Sequence, residues 1–174
     1  MEKLVEDLQQ LETKESAFKV LMELYQKRLY FHIYRYLNNH DDTNDVLQNT
    51  FIKVWRNIEN FRNECTLYSW LYRIAGNEAI TFINSNTKRI TVDVDTNNVA
   101  NIGNIDSIDG DKIELKLQAA LEQLPEKQKQ IFILRYYDEM PYKEMSEILE
   151  TSEGALKASY HHAAKKIETF LLEH

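Results

Sequence analysis

The chain has 174 residues, 43 % of them hydrophobic, with 4 Gly, 2 Pro, 1 Cys and a formal net charge of −7 at pH 7. That length suits one domain or two small ones, and the scarcity of turn punctuation and hairpin signals favours helices over strands. No apolar run is long enough to span a membrane, and a lone Cys65 excludes an internal disulfide or a cysteine-based zinc site.

The opening MEKLVEDLQQ mixes acidic and apolar residues and lacks the basic-then-apolar order of a signal peptide. A reducing, cytoplasmic setting is expected. The closing LEH is compatible with a tag remnant and receives no role. Charge is uneven. Residues 1–90 balance 12 basic against 12 acidic side chains, residues 91–112 carry Lys112 against five Asp, and residues 113–174 carry 8 basic and 11 acidic. Part of the acidity therefore belongs to one middle segment.

Residues 13–37 repeat Phe18, Leu21, Met22, Tyr25, Leu29, Ile33 and Leu37 at steps of three and four, which predicts a helix. NNHDDTND (38–45) breaks the pattern, and Asp42 or Thr43 is suited to capping the next helix. That helix buries Val46, Leu47, Thr50, Phe51, Val54, Ile58 and Phe61 on one face. Asp45, Gln48, Asn49, Lys53 and Arg56 lie on the other. After RNEC, a third helix over about 66–84 is expected to bury Leu67, Trp70, Leu71, Ile74, Ala75 and Phe82.

Residues 86–112 are polar, Asn- and Asp-rich and aperiodic, which reads as a flexible acidic linker. Periodicity returns with Ile113, Leu117, Ala120, Leu121 and Leu124. Pro125 and Pro141 each mark the start of a further helix. The expected architecture is all-α: two small helical domains, residues 1–85 and 113–174, joined by residues 86–112.

The last two helices, YKEMSEIL and 154 to about 171, are separated by ETSEG and have the form of a helix-turn-helix. In that motif the first helix braces and the second enters the major groove. Leu156, Tyr160, Ala163 and Ile167 make a buried face. Lys157, His161 and Lys165 step by four on another, with His162 beside them. Glu150 stands where such turns usually place Gly, and a left-handed backbone there would cost roughly 1 kcal/mol. Adjacent histidines on a helix point different ways, so His161 and His162 form no metal pair, and no cofactor is expected.

Two stretches carry a family resemblance. DTNDVLQNTFIKVWRNIENFRNE followed by SWLYRIAGNEAI resembles the second conserved region of bacterial RNA polymerase sigma factors. LQAALEQLPEKQKQIFILRYYDEMPYKEMSEILETSEGALKASYHHAAKKI resembles the fourth. Both regions without a third domain between them resemble the extracytoplasmic-function (ECF) group. The resemblance implies a protein with no catalytic activity that binds core polymerase, at the clamp and flap of its large subunits, and directs promoter-specific initiation. Its implied partners are the polymerase, promoter DNA and an anti-sigma factor able to hold it at the inner membrane, with no small-molecule substrate and no membrane insertion of its own.

By position, the resemblance assigns clamp docking to Asp42, Asp45, Gln48, Asn49, Lys53 and Arg56. It assigns the −10 element to Arg62, Asn63, Thr66, Tyr68, Arg73 and Asn77, with Trp70 and Tyr72 open between core and contact. It assigns the −35 element to Tyr142, Lys143, Ser152, Lys157, Ser159, His161, His162 and Lys165. The chain departs from the family pattern at Asn49, where Glu is usual. It departs again at Ser159 and His162, where Arg is frequent, and in NSNT (84–87), where basic residues are frequent. The DNA-facing helices are thus short of cations, which weakens phosphate contact and its salt dependence. Two other functions remain open on these residues: a sigma mimic that binds an anti-sigma factor, and a stand-alone helix-turn-helix regulator. A small helical enzyme is disfavoured, because no nucleophile–base pair or phosphate loop stands out.

Overall fold

In the computed structural model, residues 2–90 and 109–173 are described, with side chains described for 2–86 and 113–173. Eight α-helices follow one another with no strand among the described residues. The segment 91–108, the bulk of the expected linker, lies outside the described residues. The flanking helices reach further into that expected linker than periodicity suggests, because polar, aperiodic sequence hides backbone that is still helical at 86–90 and 109–112.

Helix α1, Glu2–Gln9, has no counterpart among the predicted elements. It is a short helix that buries only Val5 and Leu8, too few apolar positions to show a period. Gln9 fastens it by donating from Nε2 to the Phe61 carbonyl at 2.8 Å.

Helix α2, Lys14–Leu37, buries Ala17, Leu21, Tyr25, Leu29, Ile33 and Tyr36, close to the predicted stripe. It stops at Asn38, whose φ of 49° is left-handed, a conformation Asn tolerates better than most residues. Helix α3, His40–Asn57, begins earlier than expected. Its cap is Asn39, whose side chain accepts from the Asp41 and Asp42 amides at 2.9 and 3.0 Å. Asp42 therefore sits in the first turn, where its charge suits the helix dipole. Thr43 is buried and donates to the Asn39 carbonyl.

A 3₁₀ turn, Ile58–Asn60, and the left-handed Asn63 lead into helix α4, Leu67–Ile90. Thr66 caps α4, accepting the Ser69 amide on Oγ1 at 3.1 Å. The apolar face of α3 and the Leu67, Leu71, Ala75 and Ala79 stripe of α4 close the N-terminal core against α2.

Helix α5, Asp109–Glu122, and helix α6, Glu126–Phe132, meet α8, Glu153–Glu173, around Leu117, Ala120, Leu121, Leu124, Phe132, Ala163 and Ile167. Ile113, placed in the apolar period of α5, is 61 % exposed. Helix α6 widens into a π turn at Ile133–Tyr137 before α7, Tyr142–Leu149.

The two helical units share a core. Ile131, Ile133, Leu134, Met140, Met145 and Ile148 lie in the same buried cluster as the apolar residues of α2, α3 and α4. Around this seal lie polar contacts: Lys129 Nζ donates to the Tyr36 carbonyl at 3.1 Å, and the Arg35 guanidinium lies 4.2 Å from the Tyr137 ring centre. Burial lowers the Lys129 pKa, opposed by the nearby Glu122 charge. The phenols of Tyr36 and Tyr137 are pushed upward, burial leading in both, with Asp138 and Glu126 adding for Tyr36 and Glu114 for Tyr137.

Candidate functional site

Three surfaces collect the residues singled out above. The first is α3. Asp45, Gln48, Asn49, Lys53 and Arg56 are all exposed along it, and Asp42 is half-buried at its start. Lys53 is partly engaged, since its ammonium hydrogen-bonds Glu78 of α4. Beside this face, α2 and α3 frame a groove of about 610 Å³ with Phe18, Met22, Phe51 and Trp55 in its lining and Gln48 and Arg56 on its border. Ile52 and Trp55 are 41 % and 37 % exposed there. The sequence reading did not single out these two. The signal was present: both are large apolar residues that fall off the buried Val46, Leu47, Thr50, Phe51, Val54 face.

The second surface is the loop before α4 and the first turns of that helix. Arg62 and Asn63 are exposed on the loop, and Asn77 is exposed further along α4. Tyr72 is core, 3 % exposed, with its ring 4.6 Å from His32 and 4.3 Å from Tyr68. Trp70 packs its ring 5.1 Å from Phe61. Burial pushes the Tyr72 phenol far above the ordinary range, with Asp138 adding, so it stays neutral. Thr66, Tyr68 and Arg73 reach the C-terminal unit instead of solvent alone. Tyr68 donates to the Asp138 carbonyl at 3.2 Å, Thr66 Oγ1 lies 3.5 Å from Glu144, and Arg73 pairs with Glu150 at 3.1 Å.

Cys65 sits among acidic neighbours. Burial raises its thiol pKa, with Glu147, Glu64 and Glu144 adding and Arg73 opposing. A protonated thiol is a poor nucleophile and a poor redox sensor, which fits a small filler of the loop.

The third surface is the helix-turn-helix. Glu150 does adopt the left-handed conformation, φ 48°, between α7 and α8. Ser152 begins α8 by accepting the Ala155 amide at 3.3 Å. Lys157, His161, His162 and Lys165 are exposed along α8, and Ser159 is half-buried. Lys157 pairs with Glu153 at 3.6 Å and approaches the Tyr142 ring. Tyr142 is half-buried, with Arg135 at 5.0 Å from its ring centre, and Lys143 is exposed. Leu156, Ala163 and Ile167 are buried as expected, while Tyr160 is half-buried and stacks on Phe132. His162, Lys165 and Lys166 line a shallow cavity of about 420 Å³ with Gln128 and Thr169. The three residue sets thus lie on α3, on the loop and helix around residues 62–77, and on the helix-turn-helix, the second abutting α7 through Glu144 and Glu150.

The same two units are recognised by family models. Residues 21–89 match sigma-70 region 2 and residues 114–167 match sigma-70 region 4. An ECF RNA polymerase sigma-E factor of Haemophilus influenzae is 30 % identical over 176 residues, covering 95 % of this chain and 92 % of that relative. The chain belongs to the ECF sigma factors of RNA polymerase. A second relative, the ECF RNA polymerase sigma factor SigW of Bacillus subtilis, is 28 % identical over 84 % of each chain.

Solved structures share this sigma factor's fold. CnrH in complex with the cytosolic domain of CnrY superposes with a TM-score of 0.72 at 18 % identity, over 97 % of this chain and 94 % of the other. The sigma factor RpoE of Bartonella quintana, in complex with the anti-sigma factor NepR, gives 0.70 at 22 % identity, over 88 % and 96 %. At these identities the likeness establishes the fold. Among the described residues of this sigma factor, no helix is long and apolar enough to cross a membrane.

Proposed function

We propose that this sigma factor binds core RNA polymerase through α3, reads the −35 element with α8 and engages the melted −10 element with the loop and helix around residues 62–77. The observation that carries the reading is the match of both sigma regions, in order, on one chain. Asp42, Asp45, Gln48, Asn49, Lys53 and Arg56, with the apolar border of Ile52 and Trp55, are the proposed clamp contacts. A polar face beside an apolar groove suits a helical partner whose apolar edge enters the groove while its charged edge meets the rim.

Melting requires unstacked bases to be caught, and aromatic faces and polar pockets do this. Arg62, Asn63, Thr66, Tyr68, Arg73 and Asn77 are the proposed −10 contacts. For −35, Ser152, Lys157, Ser159, His161, His162 and Lys165 face the groove, with Tyr142 and Lys143 near phosphate. With so few cations, this helix discriminates between sequences while the polymerase supplies most of the non-specific grip. The protein acts by recruitment and has no catalytic step of its own. An anti-sigma factor is the regulatory partner proposed from membership of the group.

The test is co-elution of the purified protein with bacterial core RNA polymerase on a sizing column, beside an Asp45→Arg, Gln48→Ala variant. Co-elution of the natural protein and its loss in the variant support clamp docking through α3. Absence of co-elution by the natural protein refutes the reading and turns attention to a sigma mimic.

A further inference from the structure

The exposed face of α8 places two histidines where fixed positive charge is scarce. His161 and His162 are both exposed, with ring centres 6.1 Å apart. Lys157, His161 and Lys165 follow one another at steps of four, so His161 stands between two lysines on one exposed line of the helix. Two lysines of this helix are already engaged. Lys157 pairs with Glu153 at 3.6 Å and lies 5.5 Å from the Tyr142 ring centre, and Lys166 donates to Gln128 at 3.0 Å.

The two rings have open surroundings. His162 lines the shallow cavity that also holds Lys165, Lys166 and Thr169 of α8 and Gln128 of α6. His161 borders a second, of about 500 Å³, with Ala164, Lys165 and Glu168. The charged groups beside the rings are thus Lys165, Lys166 and Glu168 of α8 itself, and α6 adds the neutral Gln128. Helix α5 packs on the opposite, buried face of α8, around Leu117, Leu121, Ala163 and Ile167, and α7 brings Tyr142 to Lys157. Among the described residues, neither ring pairs with a carboxylate. His32, by contrast, is buried against Asp138, and His40 hydrogen-bonds Tyr30.

We propose that His161 and His162 are proton-dependent phosphate contacts. Each takes up a proton as duplex DNA docks, so α8 gains cations on the DNA and grips it more tightly as pH falls from 8 to 6. This inference rests on the assignment of α8 as the −35 reader made under Proposed function.

Imidazole is the side chain whose ordinary titration lies between about pH 5 and 8. Ammonium neighbours disfavour a further positive charge, and a phosphate favours it. Proton uptake is therefore coupled to contact with the polyanion. An equilibrium that consumes protons strengthens as pH falls and weakens as it rises. Phosphate contacts fix the register of a helix on the duplex and carry most of its affinity. Arginine in the same places would stay charged at every physiological pH. Histidine makes the grip of this helix conditional on pH.

The test is fluorescence anisotropy of a labelled random-sequence duplex of about 30 base pairs, titrated with the full-length protein at pH 6, 7 and 8 in about 20 mM salt. Affinity is expected to rise about tenfold or more from pH 8 to pH 6. The logarithmic salt slope should steepen by about 2 over the same range, one counterion-releasing contact for each imidazolium. His161→Gln with His162→Gln should flatten both changes. His161→Arg with His162→Arg should bind at pH 8 about as tightly as the natural protein at pH 6. His40→Gln, on α3, should keep the natural pH profile.

No duplex binding at pH 6, a flat profile in the natural protein, a profile that survives in the paired Gln variant, or tighter binding without a steeper salt slope would each overturn the proposal. Lys157→Gln with Lys165→Gln separates the two failures. Weaker duplex binding in that variant beside a flat natural profile keeps α8 on DNA and loses only the proton dependence. Unchanged binding in that variant removes α8 from the DNA interface and loses the −35 assignment itself.

Discussion

His32 Nδ1 and Asp138 Oδ2 stand 2.6 Å apart with their side chains 0 % and 4 % exposed, tying α2 of the N-terminal domain to the loop before α7 of the C-terminal one. A pair 106 positions apart in the chain is thus buried between two domains that sequence patterning treats as independent. Removing one partner leaves the other desolvated. Asp138→Ala should lower stability by about 1–3 kcal/mol, read as a lower urea midpoint. His32→Leu with Asp138→Leu should recover much of the loss, because exchanging both partners for apolar side chains leaves neither unsatisfied. A double variant as weak as the single one would show that the pair matters through shape instead.

The start of α3 rests on Asn39. Asn39→Ala removes the acceptor for two backbone amides. It should cost about 1 kcal/mol, a fall of about 2–4 °C in melting temperature for a chain of this size. Thr43→Ser keeps the hydroxyl that bonds the Asn39 carbonyl and should change less. A larger effect at Thr43 than at Asn39 would assign the cap wrongly.

Alkaline pH should loosen the protein at the domain interface. The phenols of Tyr36, Tyr72 and Tyr137 are all raised above the ordinary 10.0, mainly by burial. A raised folded pKa contributes stability that is full below the unfolded value and is lost as pH climbs through the folded one. Stability should therefore hold to about pH 10 and fall above it. Tyrosinate absorbance should rise in two phases, the exposed rings first and these three with unfolding. Tyr36→Phe, which deletes a buried hydroxyl with no partner, should shift the second phase to higher pH. A single phase near pH 10 would contradict this.

The cation shortage on α8 is testable by filling it. The isolated protein should show no specific duplex binding at about 150 mM salt; a submicromolar complex there would contradict the account. Ser159→Arg with His162→Arg should strengthen duplex binding and steepen its logarithmic salt dependence by about 2, one counterion-releasing contact for each added charge. Stronger binding without a steeper slope would place the new arginines away from phosphate.

Much of the helical frame is legible in the sequence because burial enforces a period. Leu21, Tyr25, Leu29 and Ile33 and the Val46 to Phe61 face are buried as read, while Phe18, Met22 and Leu37 of the same period are half-buried. Helix α1 escapes because Val5 and Leu8 alone make no period, and the cap moves to Asn39 because several neighbouring residues are chemically able to cap. Glu150 shows the opposite case: Glu in place of the usual Gly argues against a left-handed turn, and the backbone adopts it nonetheless. The domain contact was not legible. Ser69, Tyr72 and Gly76 lie on one buried side of α4, and their small or polar character marks a close approach only once a partner is known to face them. His32 and Asp138 carry no local pattern at all, since nothing in either neighbourhood names the other.

The most direct measurement is transcription by purified core polymerase on genomic DNA fragments, with and without the protein, followed by mapping of transcript 5′ ends. The account predicts new start sites that appear only with the protein and share two upstream elements at fixed spacing, lost with Asp45→Arg, Gln48→Ala. A protein that co-elutes with core yet yields no start sites beyond those of core alone would contradict its action as a promoter-specific sigma factor.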